Sequence, residues 1–132
     1  MSNKKSPSEY LVISRGQWDE HRSPQEIQKA IDAFYEWHGR LVSEGKMKSG
    51  QRLAPSSMMV SKHGITDGPF TETKEVIGGY WLIVAASLEE AATLAAENPC
   101  MQRGLFYEIR PIDQEPASAY TVTNETPGGQ RR

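Results

Sequence analysis

His38 is the side chain of this sequence best suited to proton chemistry. Imidazole titrates close to neutral pH, and a histidine on the inward stripe of a helix is held against whatever cavity that helix covers. A general acid or base also needs a charged or polar partner within hydrogen-bond reach. Asp67, Glu72, Lys74 and Glu75 supply such groups in one stretch, residues 67–75, DGPFTETKE. The catalytic candidates are therefore His38, Asp67, Lys74 and Glu75, and the ligand-binding candidates are Phe34, Asp67, Phe70, Glu72, Gly79 and Tyr80. A histidine on an apolar face is also a common hydrogen-bonded core residue, so both roles stay open for His38. His21 and His63 fall in expected loops without ligand-like spacing to His38, so no metal site is expected. Cys100 is the single cysteine, which leaves neither a disulfide framework nor a thiolate cluster and reads as a small, partly buried hydrophobe. No cofactor is expected.

The stretch 67–75 has a physical rationale of its own. Asp67 can bond backbone amides, Gly68 permits unusual dihedrals and Pro69 stiffens the turn, so Phe70 is free to anchor a loop. Thr71 to Glu75 then place three charged side chains ahead of a strand whose Gly78-Gly79 pair removes two side chains. Glycine within a strand marks a bulge or the close approach of another backbone or a ligand. One reading is an ordered turn followed by a solvated charge run; the other is the rim of a pocket.

These residues must be positioned by the elements around them. Residues 10–15, YLVISR, are rich in β-formers and read as a first strand after a polar lead over residues 1–9. Ser23-Pro24-Gln25-Glu26 signposts a helix start, with Ser23 as cap, Pro24 at the first position and Glu26 closing a capping box. Ile27, Ile31, Phe34, His38 and Leu41 then recur at three- and four-residue spacing until Gly45 supplies a left-handed stop. Residues 47–53 and 57–60 read as strand material broken near Pro55, with Lys62-His63-Gly64 turning a hairpin into Ile65-Thr66. Residues 76–85, VIGGYWLIVA, form the strongest strand and are expected at the centre of a sheet, with Tyr80, Leu82 and Val84 on one face and Trp81, Ile83 and Ala85 on the other. Ser87-Leu88-Glu89-Glu90 opens a second, alanine-rich helix that ends before Asn98-Pro99. Residues 105–112, LFYEIRPI, alternate as a last strand. The sum is an α+β fold, a ferredoxin-like βαββαβ antiparallel sheet with two helices on one face. Tyr80, Trp81 and Phe106 supply more apolar surface than two helices cover, so a second copy is expected on the free face.

At 132 residues the chain is the size of one domain. Three segments are expected: the lead over 1–9, a domain over 10–112, and a polar extension over 113–132 whose run 119–123 could add a strand to a sheet edge. With 15 basic against 17 acidic side chains, no single-sign field steers it to nucleic acid or anionic lipid. The longest apolar run is too short to span a bilayer and no signal sequence opens the chain, so a cytoplasmic protein is expected.

In order along residues 9–112, EYLVI, LVSEGKMKSGQRL, DGPFTETKEVIGGYWLI, SLEEAATLAAENP and YEIRPI resemble the DGPF-domain branch of the YCII-related protein family. The resemblance implies a dimeric α+β barrel. The broader family carries a His/Asp pair in general acid–base chemistry, with the aspartate just before a Glu-Gly pair. Aligned through Glu44-Gly45, the family histidine falls at Phe34 and the aspartate at Ser43, so neither residue is carried over. His38, one helical turn beyond Phe34, reaches the same side of the helix. The resemblance implies two alternative functions: a small-molecule-binding or acid–base enzyme-like homodimer, or a noncatalytic accessory protein associated with extracytoplasmic-function sigma factors. Direct nucleic-acid binding lacks the basic stripe and interleaved aromatics it requires.

Overall fold

The computed structural model of the chain describes residues 6–68 and 76–128. The elements follow in the order β1 (Ser8–Arg15), α1 (Pro24–Ser43), β2 (Met47–Arg52), β3 (Ser57–Ser61), β4 (Gly64–Gly68), β5 (Ile77–Ala85), α2 (Leu88–Ala95), a 3-10 turn (Pro99–Arg103) and β6 (Phe106–Pro111). Four strands form one antiparallel sheet in the order β2-β5-β1-β6. This is the ferredoxin-like arrangement, with β5 and β1 central. The β3–β4 hairpin inserted between β2 and β5 forms a separate two-stranded sheet, with Val60 opposite Ile65.

The helix ends follow their local chemistry. At the start of α1 the Ser23 side chain accepts from the Glu26 amide at 3.1 Å, and the Ser23 amide donates to Glu26 Oε1 at 3.0 Å, a reciprocal capping box. At its end Gly45 takes φ +80°, and the amides of Gly45 and Lys46 donate to the carbonyls of Val42 and Leu41, closing a Schellman motif. The second box is only half formed in the expected sense. The Glu90 amide donates to Ser87 Oγ at 3.0 Å, but the Glu90 carboxylate takes the amide of Ala86 rather than that of the cap.

Alternation along the strands fixes the core. Trp81, Ile83 and Ala85 of β5 are buried on the same face as Tyr10 and Val12 of β1, against Trp37 and Leu41 of α1 and Ala91 and Ala95 of α2. The other face carries Leu11, Ile13, Tyr80, Leu82 and Val84, framed by the Glu9–Lys48 ion pair and by Glu108 between Arg15 and Arg110, both at 2.8 Å. The paired guanidiniums, Arg110 and then Arg15, hold the Glu108 carboxyl below its usual range. The sequence expectation needs one correction here. Trp81 adds nothing to the uncovered face, because its neighbours Tyr80 and Leu82 occupy that side of the pleat. Only Phe106, about half exposed, and Tyr80 remain there from the expected set. The deepest side of α1 is also turned slightly from the expected stripe, since Ala30, Trp37 and Leu41 are its buried residues. Beyond β6, residues 112–128 form turns and add no strand. Val122, Thr123 and Asn124 instead return beside Glu108 to Asp113.

Two glycines let β2 cross β5 closely. The register slips between Lys48 and Gln51, and a methyl group on Gly50 would lie 1.9 Å from the Tyr80 carbonyl oxygen. A methyl on Gly79 would lie 2.7 Å from the Gln51 carbonyl oxygen. Gly79 thus faces another backbone, one of the situations its place in a strand suggested. In contrast, a methyl on Gly39, within α1, would meet nothing within 4 Å. Gly50→Ala is expected to lower unfolding free energy in urea by about 1–3 kcal/mol, whereas Gly39→Ala is expected to raise it by about 0.5–1 kcal/mol. Equal responses from the two would contradict the close β2–β5 crossing.

Candidate functional site

The half-buried stripe of α1, Ile31, Phe34, His38 and Val42, stands off from the sheet and walls a cavity of about 600 Å3. This volume is in the range of small-molecule sites. The sheet contributes Ser14 from β1, Gly50 to Arg52 from β2, Gly78 to Trp81 from β5 and Tyr107 from β6, while Trp18 and Cys100 come from the connections before α1 and after α2. The stripe read from the sequence is therefore the cavity wall, one step around the helix from the most buried side.

Aromatic rings form the centre of the wall. Phe34 stacks on His38 with centroids 5.4 Å apart and ring planes 8° from parallel. Trp81 meets Phe34 at 5.0 Å and His38 at 5.6 Å, both inclined, and touches Tyr107 at 5.5 Å. These separations are those of favourable ring pairs. His38 Nδ1 lies 3.2 Å from Met47 Sδ, and Met47 is fully buried. A thioether can only accept, so this contact places the ring proton on Nδ1 and leaves Nε2 with its lone pair. Burial lowers the His38 pKa from its ordinary value, which favours the neutral ring.

A second polar group lies at the cavity floor. The Tyr107 hydroxyl sits among Cys100, Ser14 and Asn98; burial, reinforced by Cys100, raises its pKa well above the ordinary phenol value. Burial also raises the Cys100 thiol, whose sulfur lies 3.6 Å from the Ala30 carbonyl oxygen. Both groups stay protonated through neutral pH, and the Tyr107 hydroxyl is hydrogen-bonded to Cys100. Trp81 is only 8% exposed, and its Nε1–H has no hydrogen-bond partner among the described residues. Trp37, outside the lining, donates to Glu97 Oε1 at 3.5 Å.

The structure brings together Phe34, His38, Gly79 and Tyr80 from the sequence candidates. Tyr80 lines the wall through its place in β5 and sends its hydroxyl to Gln51 Oε1 at 3.4 Å. Ser43 is on the same wall. Asp67 lies apart from the lining, exposed on β4 and opposite Met58. Phe70, Glu72, Lys74 and Glu75 lie outside the described residues. Sequence reasoning missed Ser14, Trp81 and Tyr107 as cavity residues. The signal available was polarity on an inward register, since Ser14 continues the Tyr10, Val12 face and Tyr107 shares the face of Ile109. Among the described residues no group of three or more His, Cys, Asp or Glu side chains is placed to hold a metal ion. No helix in these residues is long and apolar enough to cross a membrane.

Residues 9–114 match the model of the YCII-related domain. The chain belongs to the YCII-related family. It is also similar to an uncharacterized protein of Rhizobium meliloti (strain 1021), 36% identical over 83 residues, which cover 55% of this chain and 64% of that protein. The YCII-related match spans the strands and helices that build the cavity, with the turns after residue 114 beyond it.

Proposed function

We propose that this chain, a member of the DGPF branch of the YCII-related family, is a small-molecule-binding protein whose cavity supports proton transfer through His38. The observation that carries this reading is the state of His38. It lines an aromatic cavity as a neutral ring, with Nδ1 tied to the Met47 sulfur and Nε2 left as a base. Tyr107, held protonated on the same lining and hydrogen-bonded to Cys100, is the neutral polar group beside it. A single base that takes a proton and returns it to the same ligand is the role this arrangement suits. The chemistry that fits is abstraction and return of a proton at a carbon next to a carbonyl, whose oxygen takes up the charge as an enolate.

The test is solvent deuterium exchange. Small molecules retained by the protein in a thermal-shift screen are incubated with it in D2O and analysed by mass spectrometry. Wild-type protein is expected to promote exchange of a C–H proton, and His38→Gln to lower that rate at least ~100-fold while binding changes little. Exchange unaffected by His38→Gln would remove the proton-transfer role, and the absence of any retained small molecule would remove the reading as a whole.

A second reading, an accessory protein of the kind associated with extracytoplasmic-function sigma factors, is favoured by the β3–β4 hairpin. Met58, Val60 and Ile65 share one face of it and are 61%, 75% and 65% exposed. A two-stranded hairpin with so much uncovered apolar surface is marginal alone and suited to a protein contact. The family resemblance supports a homodimer through the uncovered sheet face instead. Light scattering tests the dimer: wild-type protein is expected at twice the chain mass, and to stay there when Met58, Val60 and Ile65 are all replaced by threonine. A wild-type protein at one chain mass would contradict the sheet-face dimer.

A further inference from the structure

Resting on the small-molecule reading above, the size of ligand that the cavity admits turns on one glycine of its lining. We propose that Gly78 is the size-selecting position of the site: its bare backbone keeps a recess open at the Tyr107 end of the cavity, and that recess takes the second ring of a flat bicyclic ligand.

Gly78 is singled out by demands it does not meet. Gly16, Gly45, Gly64 and Gly104 hold positive φ angles, while Gly50 and Gly79 sit at the β2–β5 crossing, where a methyl group would strike backbone. Gly78 is outside both groups. It is not among the glycines of positive φ, so its backbone suits any L-residue. Apart from its chain neighbours, a methyl group there would meet within 4 Å, among the described residues, only Ser14 Oγ, at an ordinary contact distance of 3.7 Å. A glycine inside a strand costs stability, and space kept free for a ligand is a reason to carry one.

The register shows where that space opens. Ser14 pairs with Gly79 and Arg15 with Ile77, which leaves Gly78 as the extra residue of a β-bulge. The bulge sets the place of its missing side chain beside Ser14, whose hydroxyl is hydrogen-bonded to that of Tyr107. Gly78, Ser14 and Tyr107 all line the cavity. The aromatic wall gives the length: it runs from the Phe34–His38 stack past Trp81 to Tyr107, with Trp81 5.0 Å from Phe34 and 5.5 Å from Tyr107. Ring faces spread over two such steps outreach a single ring, so a flat two-ring body gains the fuller contact. Among the described lining residues none is Asp or Glu, and Arg52 is the one permanently charged side chain, so an anionic probe meets no repulsion there.

Benzoate and 2-naphthoate carry the same charge and differ by one ring. Their dissociation constants are measured by ligand-observed NMR titration for wild-type protein, Gly78→Ala and Gly78→Val. Wild-type protein is expected to bind 2-naphthoate about fivefold or more tightly than benzoate, and Gly78→Val to weaken 2-naphthoate about tenfold or more while benzoate stays within about twofold. Gly78→Ala is expected to fall between. Urea denaturation separates a filled recess from a damaged strand, since both variants are expected to unfold at urea concentrations no lower than wild type. Equal weakening of the two probes, or 2-naphthoate binding unchanged by valine, overturns the inference and leaves the small-molecule reading standing. A lowered urea midpoint for Gly78→Ala, or its failure to fold, also overturns it, because the position would then have no free space. If the valine variant alone fails to fold, a selective loss of about threefold for 2-naphthoate in Gly78→Ala supports the inference and an equal loss for both probes overturns it. Binding of neither probe by wild-type protein contradicts the bicyclic class, and the small-molecule reading is then judged by its own thermal-shift screen.

Discussion

The pleat of β5 determines where nearly every important side chain of this protein lies. The strand is bonded on both edges, to β2 and to β1, so its register cannot slip by one residue without exchanging its two faces. With Trp81 opposite Val12 and Ile83 opposite Tyr10 and Met47, the large residues of three strands meet the helices together. The intervening residues, Tyr80, Leu82 and Val84, are committed to the other face by the same geometry. The Gly50 and Gly79 crossing holds that register from the side of β2. Nothing larger than a hydrogen fits between those backbones.

A cavity arises because the two helices fill the covered face unequally. The short α2 sets Ala91 and Ala95 close against the sheet, and small side chains permit that close approach. The longer α1 presents Phe34 and His38, which pack on each other and on Trp81 rather than filling the space beside Tyr107. In dense protein interiors such a space is uncommon, and here its lining includes a neutral imidazole and a protonated phenol. The pKa directions of His38 and Tyr107 share one leading cause, removal from water.

Much of this was legible in the sequence. The capping residues Ser23, Glu26 and Gly45 bounded α1 because their signals are local, and the alternation over 80–85 separated the two faces of β5 correctly. What local pattern cannot supply is which face meets the helices and how far a helix stands off the sheet. That is why Trp81 was assigned to the uncovered surface, and why core and cavity roles both stayed open for His38. Asp67 was attractive beside His38 only by its chemistry. The β3–β4 hairpin forms a sheet of its own and sets Asp67 opposite Met58, away from the lining.

The central claim, a ligand cavity walled by Phe34, His38 and Trp81, is tested most directly through the indole N–H signals in a 1H–15N correlation spectrum. Trp18, Trp37 and Trp81 are the three tryptophans, assigned by replacing each with phenylalanine. On titration with a small molecule retained in the thermal-shift screen the Trp81 and Trp18 signals, both from the lining, are expected to move further than that of Trp37, which is bonded to Glu97 outside it. Stationary Trp81 and Trp18 signals at saturating ligand, or a Trp37 signal that moves furthest, would contradict the account.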